Sequence, residues 1–255
     1  MSPALLPLLV GLVAAVYASV GHAGATGYIA VMTLLGLPPA VIRPTALTLN
    51  VIVASIATVQ FARAGHFRGR LFWPLALASV PCAALGGGID LPTAAFEPLL
   101  GAVLCVSAIR LVREARAGPV ATRPSTPADD PHRLAPLALA TLGGAVGLLS
   151  GLTGVGGGVF LTPALLALDA APLKQVAAVT APFILVNSLA GLAGGLVAGR
   201  GLAAVSLPLV AAVMLGGAVG AQLGGFRLPV RTLRLLLAAV LGFASLKLLS
   251  KPFGI

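Results

Sequence analysis

Apolar residues fall in ten runs, at roughly 3–20, 28–37, 45–62, 71–88, 95–109, 135–152, 159–168, 175–197, 203–224 and 229–250, with polar residues gathered between them. Most runs approach the roughly 20 residues that cross a bilayer as helix. Two do not: at 1.5 Å per residue, the ten residues of 28–37 or of 159–168 cover about half the hydrocarbon thickness. The pattern predicts an all-α polytopic membrane protein with two short broken or half helices. One long polar stretch, Glu114–Arg133, interrupts it. The expected organisation is a first membrane repeat over 1–113, a linker over 114–134 and a second membrane repeat over 135–255, each repeat with five apolar segments.

The halves repeat in detail. Ser19 and Ser150, and Gly27 and Gly158, are separated by 131 residues, and Pro39 and Pro172 by 133. Gly65 and Gly199, Pro74 and Pro208, and Gly86 and Gly220 are each separated by 134. Six matches in order at a nearly constant offset indicate a duplicated unit. Arg63, Arg68 and Arg70 mark one loop as cytoplasmic, as do Arg110, Arg113, Arg116, Arg123 and Arg133 for the linker and Arg227, Arg231 and Arg234 for a third site. Asp90 and Glu97 then face outward. Each half has an odd number of crossings under this scheme, so the repeats have inverted topology, a common architecture of secondary transporters. Lys247 and Lys251 fall outside, against the rule.

Composition agrees with the pattern. The chain of 255 residues is 58% hydrophobic and 9% charged, with mean hydropathy +1.07, against about 25% charged in an ordinary soluble domain. A soluble fold with so few polar side chains could not cover its surface. The net charge of +10 sits in short clusters between apolar runs, which excludes nucleic acid as a partner and leaves the lipid bilayer. Cys82 and Cys105 lie inside apolar segments and read as small buried hydrophobes. No cofactor or metal is expected.

Candidate chemistry gathers at two Gly-rich breaks, Gly21–Gly27 and Gly151–Gly158, each followed by a short run. Non-helical backbone at membrane depth is tolerated only where it is buried in protein or lines a cavity, and glycine lets a solute or another backbone approach. Each break exposes a helix N-terminus, whose N–H groups and dipole favour an anion. The candidate binding residues are Ser19, His22, Gly24, Thr26, Gly27 and Asn50 in the first half, with Ser150, Thr153, Gly154, Gly156, Gly157, Gly158, Thr180 and Asn187 in the second. Thr48 and Gln60 are further pathway candidates. Small-residue packing between helices is the competing reading of the glycines. His22 either relays a proton coupled to solute movement or donates, neutral, to a carbonyl freed by the break. Asp169 and Lys174 are placed in a loop. No apolar run carries a central Asp or Glu, which suits an anionic or neutral solute. A remote alternative is an intramembrane Ser–His hydrolase built on Ser150 and His22, which lacks an orienting carboxylate.

The segment Gly151-Leu152-Thr153-Gly154-Val155-Gly156-Gly157-Gly158-Val159-Phe160-Leu161-Thr162-Pro163 resembles the Gly-rich signature of the sulfite exporter TauE/SafE family. Val20-Gly21-His22-Ala23-Gly24-Ala25-Thr26-Gly27-Tyr28, Arg43-Pro44-Thr45-Ala46 with Asn50, and Arg63-Ala64-Gly65-His66-Phe67 resemble a divergent form of the same unit. The resemblance spans about 3–250 apart from the linker. It implies a transporter in the bacterial inner membrane, with the linker cytoplasmic, that exports sulfite or an organosulfonate-type anion. Uptake of another small organic anion is the alternative. It does not imply an enzyme.

Overall fold

Where side chains are apolar nearly throughout, the backbone must satisfy its own hydrogen bonds, and a helix does so within one segment. A computed structural model describes residues 5–19, 24–117, 135–201, 205–223 and 230–250, and its elements are all α-helices. They are α1 (Leu5–Ser19), α2 (Ala25–Leu34), α3 (Pro39–Arg63), α4 (Gly69–Gly88), α5 (Thr93–Ala117), α6 (Pro136–Thr153), α7 (Gly158–Ala167), α8 (Leu173–Val197), α9 (Leu207–Leu223) and α10 (Val230–Ser250). Five of them, α3, α4, α5, α6 and α8, are long and apolar enough to cross a membrane. The chain is a polytopic membrane protein, and the two ten-residue helices expected from the apolar pattern are present as α2 and α7.

Three local expectations need correction. The Gly-rich breaks are narrower than the Gly-rich sequence: Ala25, Thr26 and Gly27 form the first turn of α2, and Gly151, Leu152 and Thr153 the last turn of α6. Gly151 lies within α6, with its bare Cα against the Ala83 carbonyl, where a Cβ would collide. Helix α5 continues to Ala117, past the expected start of the linker, carrying an Arg110–Glu114 pair at 3.2 Å one turn apart. Lys174 stands in the first turn of α8 instead of a loop, whereas Asp169 does lie in the turn after α7.

The helix ends repeat as the sequence offsets do. After α2, Gly36 is left-handed (φ 78°) and Leu37 N–H donates to Met32 O; after α7, Asp169 is left-handed (φ 47°) and Ala170 N–H donates to Leu165 O. After α3 and α8, Gly65 (φ 72°) and Gly199 (φ 77°) take the same place. These are left-handed helix stops, in which a residue without Cβ, or a short polar one, turns the chain and satisfies the last carbonyls.

The chain divides into two compact units. The first is built from residues 1–49, 90–118 and 202–255, the second from 50–89 and 119–201. Each draws helices from both halves of the sequence. In the first, α1 packs on α9 and α5 on α10, while α2 touches α10 and α1. Lys247 Nζ on α10 donates to the carbonyls of Thr33 (3.1 Å) and Leu34 (3.2 Å), placing a cation at the negative end of α2. That contact gives the lysine a structural task unrelated to the sidedness rule it violates.

In the second unit α4 packs against both α6 and α8, with α7 laid on α8. Gly143, Gly147 and Gly151 of α6 meet the backbones of Leu75, Ser79 and Ala83 of α4, so the numbers climb together and the two helices run parallel. A Cβ at any of the three would strike a carbonyl, so this is packing by direct backbone approach. Ser79 on α4 meets Asn187 on α8, and Gly87 meets Gly191 eight residues and four residues further along, so α8 runs in the same direction. Helix α7 runs opposite to α8, with Gly158 against Ile184 and Thr162 against Thr180. Phe72, Leu75, Val146, Leu161, Leu165, Val179 and Phe183 fill the core between these helices.

Candidate functional site

The break between α6 and α7 follows from four residues. Gly154 (φ 80°) ends α6, and its N–H donates to Ser150 O at 2.9 Å. Gly156 (φ 80°) and Gly157 (φ 81°) also occupy the left-handed region, which excludes most side chains from all three positions. Thr153 closes the end of α6. Its Oγ1 donates to Leu149 O at 2.6 Å and accepts from Val155 N–H at 3.4 Å. The chain then re-enters helix at Gly158, and the N–H groups of Phe160 and Leu161 close the first turn of α7 on Gly157 O at 3.1 and 3.0 Å.

This N-terminus lies beside the middle of α8. A Cβ on Gly156 would lie 2.5 Å from Asn50 Nδ2, 3.0 Å from Ile184 Cγ2 and 3.3 Å from Ser188 Oγ. One on Gly157 would lie 3.0 Å from Phe183 and 3.5 Å from Ser150 Cβ. Asn50 Nδ2 donates to Val155 O at 3.3 Å, so a side chain from α3 holds the non-helical turn. Asn50, Ser150 and Ser188 are fully buried, yet Asn50 Oδ1, Ser150 Oγ and Ser188 Oγ have no hydrogen-bond partner. Buried polar atoms are ordinarily paired. Three unpaired ones around one glycine turn, at the positive end of a helix, form a polar cluster in an apolar body.

The structure thus brings together Asn50, Ser150, Gly154, Gly156, Gly157 and Gly158, with Thr153 as a brace. Thr180 flanks Gly158 and accepts from Thr162 Oγ1 at 3.3 Å. Asn187 is turned toward α4. Its Nδ2 donates to Ser79 Oγ at 3.0 Å and to Phe183 O at 2.8 Å, so it ties α8 to α4. Ser188 was not among the expected residues. It continues the face Thr180, Ile184, Ser188, spaced four apart along α8, and stepping from Thr180 would have reached it.

Apart from Gln60, which lies in the second unit, the remaining candidates belong to the first. Thr26 Oγ1 pairs with Tyr17 OH at 2.8 Å. A Cβ on Gly24 would collide with the Tyr28 ring, and one on Gly27 with Val13 and Tyr17. These glycines make room for aromatic rings. Ser19 ends α1, and its side chain, like all of His22, lies outside the described residues.

A polytopic helical protein with a buried, polar, broken-helix turn belongs in the class of membrane carriers. Comparison with known proteins is specific. The sulfite exporter TauE/SafE family matches residues 6–248. A probable membrane transporter protein, y4hK, of Sinorhizobium fredii is 45% identical over 185 residues, covering 71% of this chain and 72% of that protein. No solved structure matches. The chain belongs to the sulfite exporter TauE/SafE family and is a membrane transporter of that type.

Proposed function

We propose that this transporter exports sulfite or an organosulfonate-type anion across the bacterial inner membrane, binding it at the N-terminus of α7. The observation that carries this reading is the cluster of buried, unpaired polar atoms of Asn50, Ser150 and Ser188 around Gly156. The two serine hydroxyls supply donors to oxyanion oxygens, and the dipole of α7 supplies roughly half a positive charge. Asn50 Oδ1 is free to accept from a hydrogen on the solute. Helices α3, α4, α6, α7 and α8 contain no Asp or Glu to repel it.

The halves act as inverted repeats in this proposal. Packing of α1 on α9 and of α6 on α4 supports it, because the first helix of each half pairs with the fourth helix of the other. The shared direction of α4, α6 and α8 agrees with a scheme in which all three begin on the cytoplasmic side, with the linker cytoplasmic too. His22, in the mirrored break, carries a proton coupled to anion movement.

Purified protein in liposomes loaded with sulfite tests the reading by counterflow. Labelled sulfite should exchange against sulfite and small sulfonates and not against carboxylates or amines. Exchange confined to carboxylates would replace it with the organic-anion permease. Exchange of sulfite unaffected by both Ser188→Ala and Asn50→Ala would remove the α7 pocket from the pathway.

A further inference from the structure

Helices α5 and α10 pack against each other. Ser245 Oγ donates to Gly101 O at 2.8 Å, and Gly101 fits against Leu248 and Leu249. Beside this contact a groove of about 490 Å³ opens between them, starting at Ser245 and Leu249, with Gly242 on α10 and Ile109 and Val112 on α5 in its walls, and Arg113 and Arg116 also lining it. A Cβ on Gly242 would meet nothing within 4 Å, so the groove exists partly because that residue has no side chain. Leu246 and Ile109, on its rims, are 65% and 48% exposed. In a membrane protein such a face looks into hydrocarbon.

The two arginines distinguish this groove from ordinary lipid-facing surface. They are exposed and one turn apart on α5, and neither has a carboxylate partner among the described residues. The one carboxylate of that stretch, Glu114, is engaged by Arg110 at 3.2 Å. From Cys105 to Arg116 the groove follows α5 for about 17 Å at 1.5 Å per residue. One leaflet of hydrocarbon is about 15 Å thick. An apolar trough one leaflet long, ending in two guanidinium groups without a carboxylate partner among the described residues, matches a phospholipid in length and charge. Arginine forks suit phosphate oxygens. A second copy of the chain is a poorer occupant, since a two-fold interface here would bring the same arginines together.

We propose that this groove holds one acyl chain of an anionic phospholipid, with the headgroup phosphate between Arg113 and Arg116. The site is independent of the solute pocket. The test is native mass spectrometry of the full-length, delipidated protein titrated with phosphatidylglycerol or with phosphatidylcholine of the same chains. Phosphatidylglycerol should bind at one site with clear preference. Arg113→Gln with Arg116→Gln should weaken it about 25-fold, from roughly fivefold per cation near an anionic headgroup, leaving phosphatidylcholine unchanged. Gly242→Leu, which has space for its side chain, should fill the trough and weaken both lipids alike. Retained preference in the double variant would overturn the proposal. So would displacement by glycerophosphate at equal concentration, which would make this a plain anion site. Rapid Cys105–Cys105 cross-linking between copies in a Cys82→Ala background would assign the groove to a dimer and overturn it too.

Discussion

Replacing Gly156 by alanine probes the solute pocket with a single methyl group. Two costs follow from the structure. At φ 80° an L-residue is left-handed, at roughly 1–2 kcal/mol. The new Cβ would also stand 2.5 Å from Asn50 Nδ2, so Asn50 must withdraw from the Val155 carbonyl, losing a hydrogen bond worth about 1 kcal/mol. The total is about 2–3 kcal/mol, or roughly 30- to 150-fold against the native turn at 1.4 kcal/mol per tenfold. Gly199→Ala is the matched control. Gly199 has φ 77° and nothing within 4 Å of a Cβ, so it bears the backbone cost alone. Counterflow per inserted protein, with thermal unfolding measured alongside, separates the two. Gly156→Ala should lose about 1 kcal/mol more stability than Gly199→Ala, and only Gly156→Ala should lose transport, by at least tenfold relative to the control. Equal transport in the two variants would refute the assignment of the turn to the solute path.

Other consequences are equally direct. Asn50→Asp keeps the size of the side chain, removes the donor to Val155 O and adds a negative charge beside the anion, so its KM in counterflow should rise above that of Asn50→Ala. Gly147→Leu drives a side chain into the Ser79 carbonyl, whereas a Cβ on Gly144 has its nearest neighbour, Cys82 Sγ, at 3.5 Å. Membrane yield and thermal stability should collapse for Gly147→Leu and hold for Gly144→Ala. Cysteines placed at Arg68 and Arg123 should be labelled from the cytoplasmic side, and one at Asp90 from outside. His22→Gln should abolish anion movement driven by a pH gradient while sparing anion–anion counterflow.

The helices were legible because apolar runs interrupted by Arg, Pro and Gly leave few alternatives in a bilayer, and even the two half helices showed as runs too short to span. The extent of each break was not legible. Glycines at 151 and 154 look alike in sequence, but one is helical, packed on Ala83 68 residues away, and the other left-handed. Which side of a helix faces protein was hidden too. Lipid is as apolar as the core, so α8 shows no polar stripe to separate Asn187, turned to α4, from Ser188, turned to the break. The offset between halves was an informative signal, since it paired Gly65 with Gly199, which the structure shows as matching left-handed stops.

The pairing of α1 with α9 also bears on how the protein is made. Helix α1 leaves the ribosome first, and its packing partner begins at Leu207, nearly two hundred residues later. At about 5–20 residues per second, α1 waits roughly 10–40 seconds in the membrane before the surface around Gly11 can be covered by Ala212. The second unit closes sooner, once α8 has followed α4 and α6. Biogenesis therefore has a built-in order, with one unit assembled while the other stands open. An insertase or chaperone that shields α1 during that interval would act on the growing chain long before there is a carrier to transport anything.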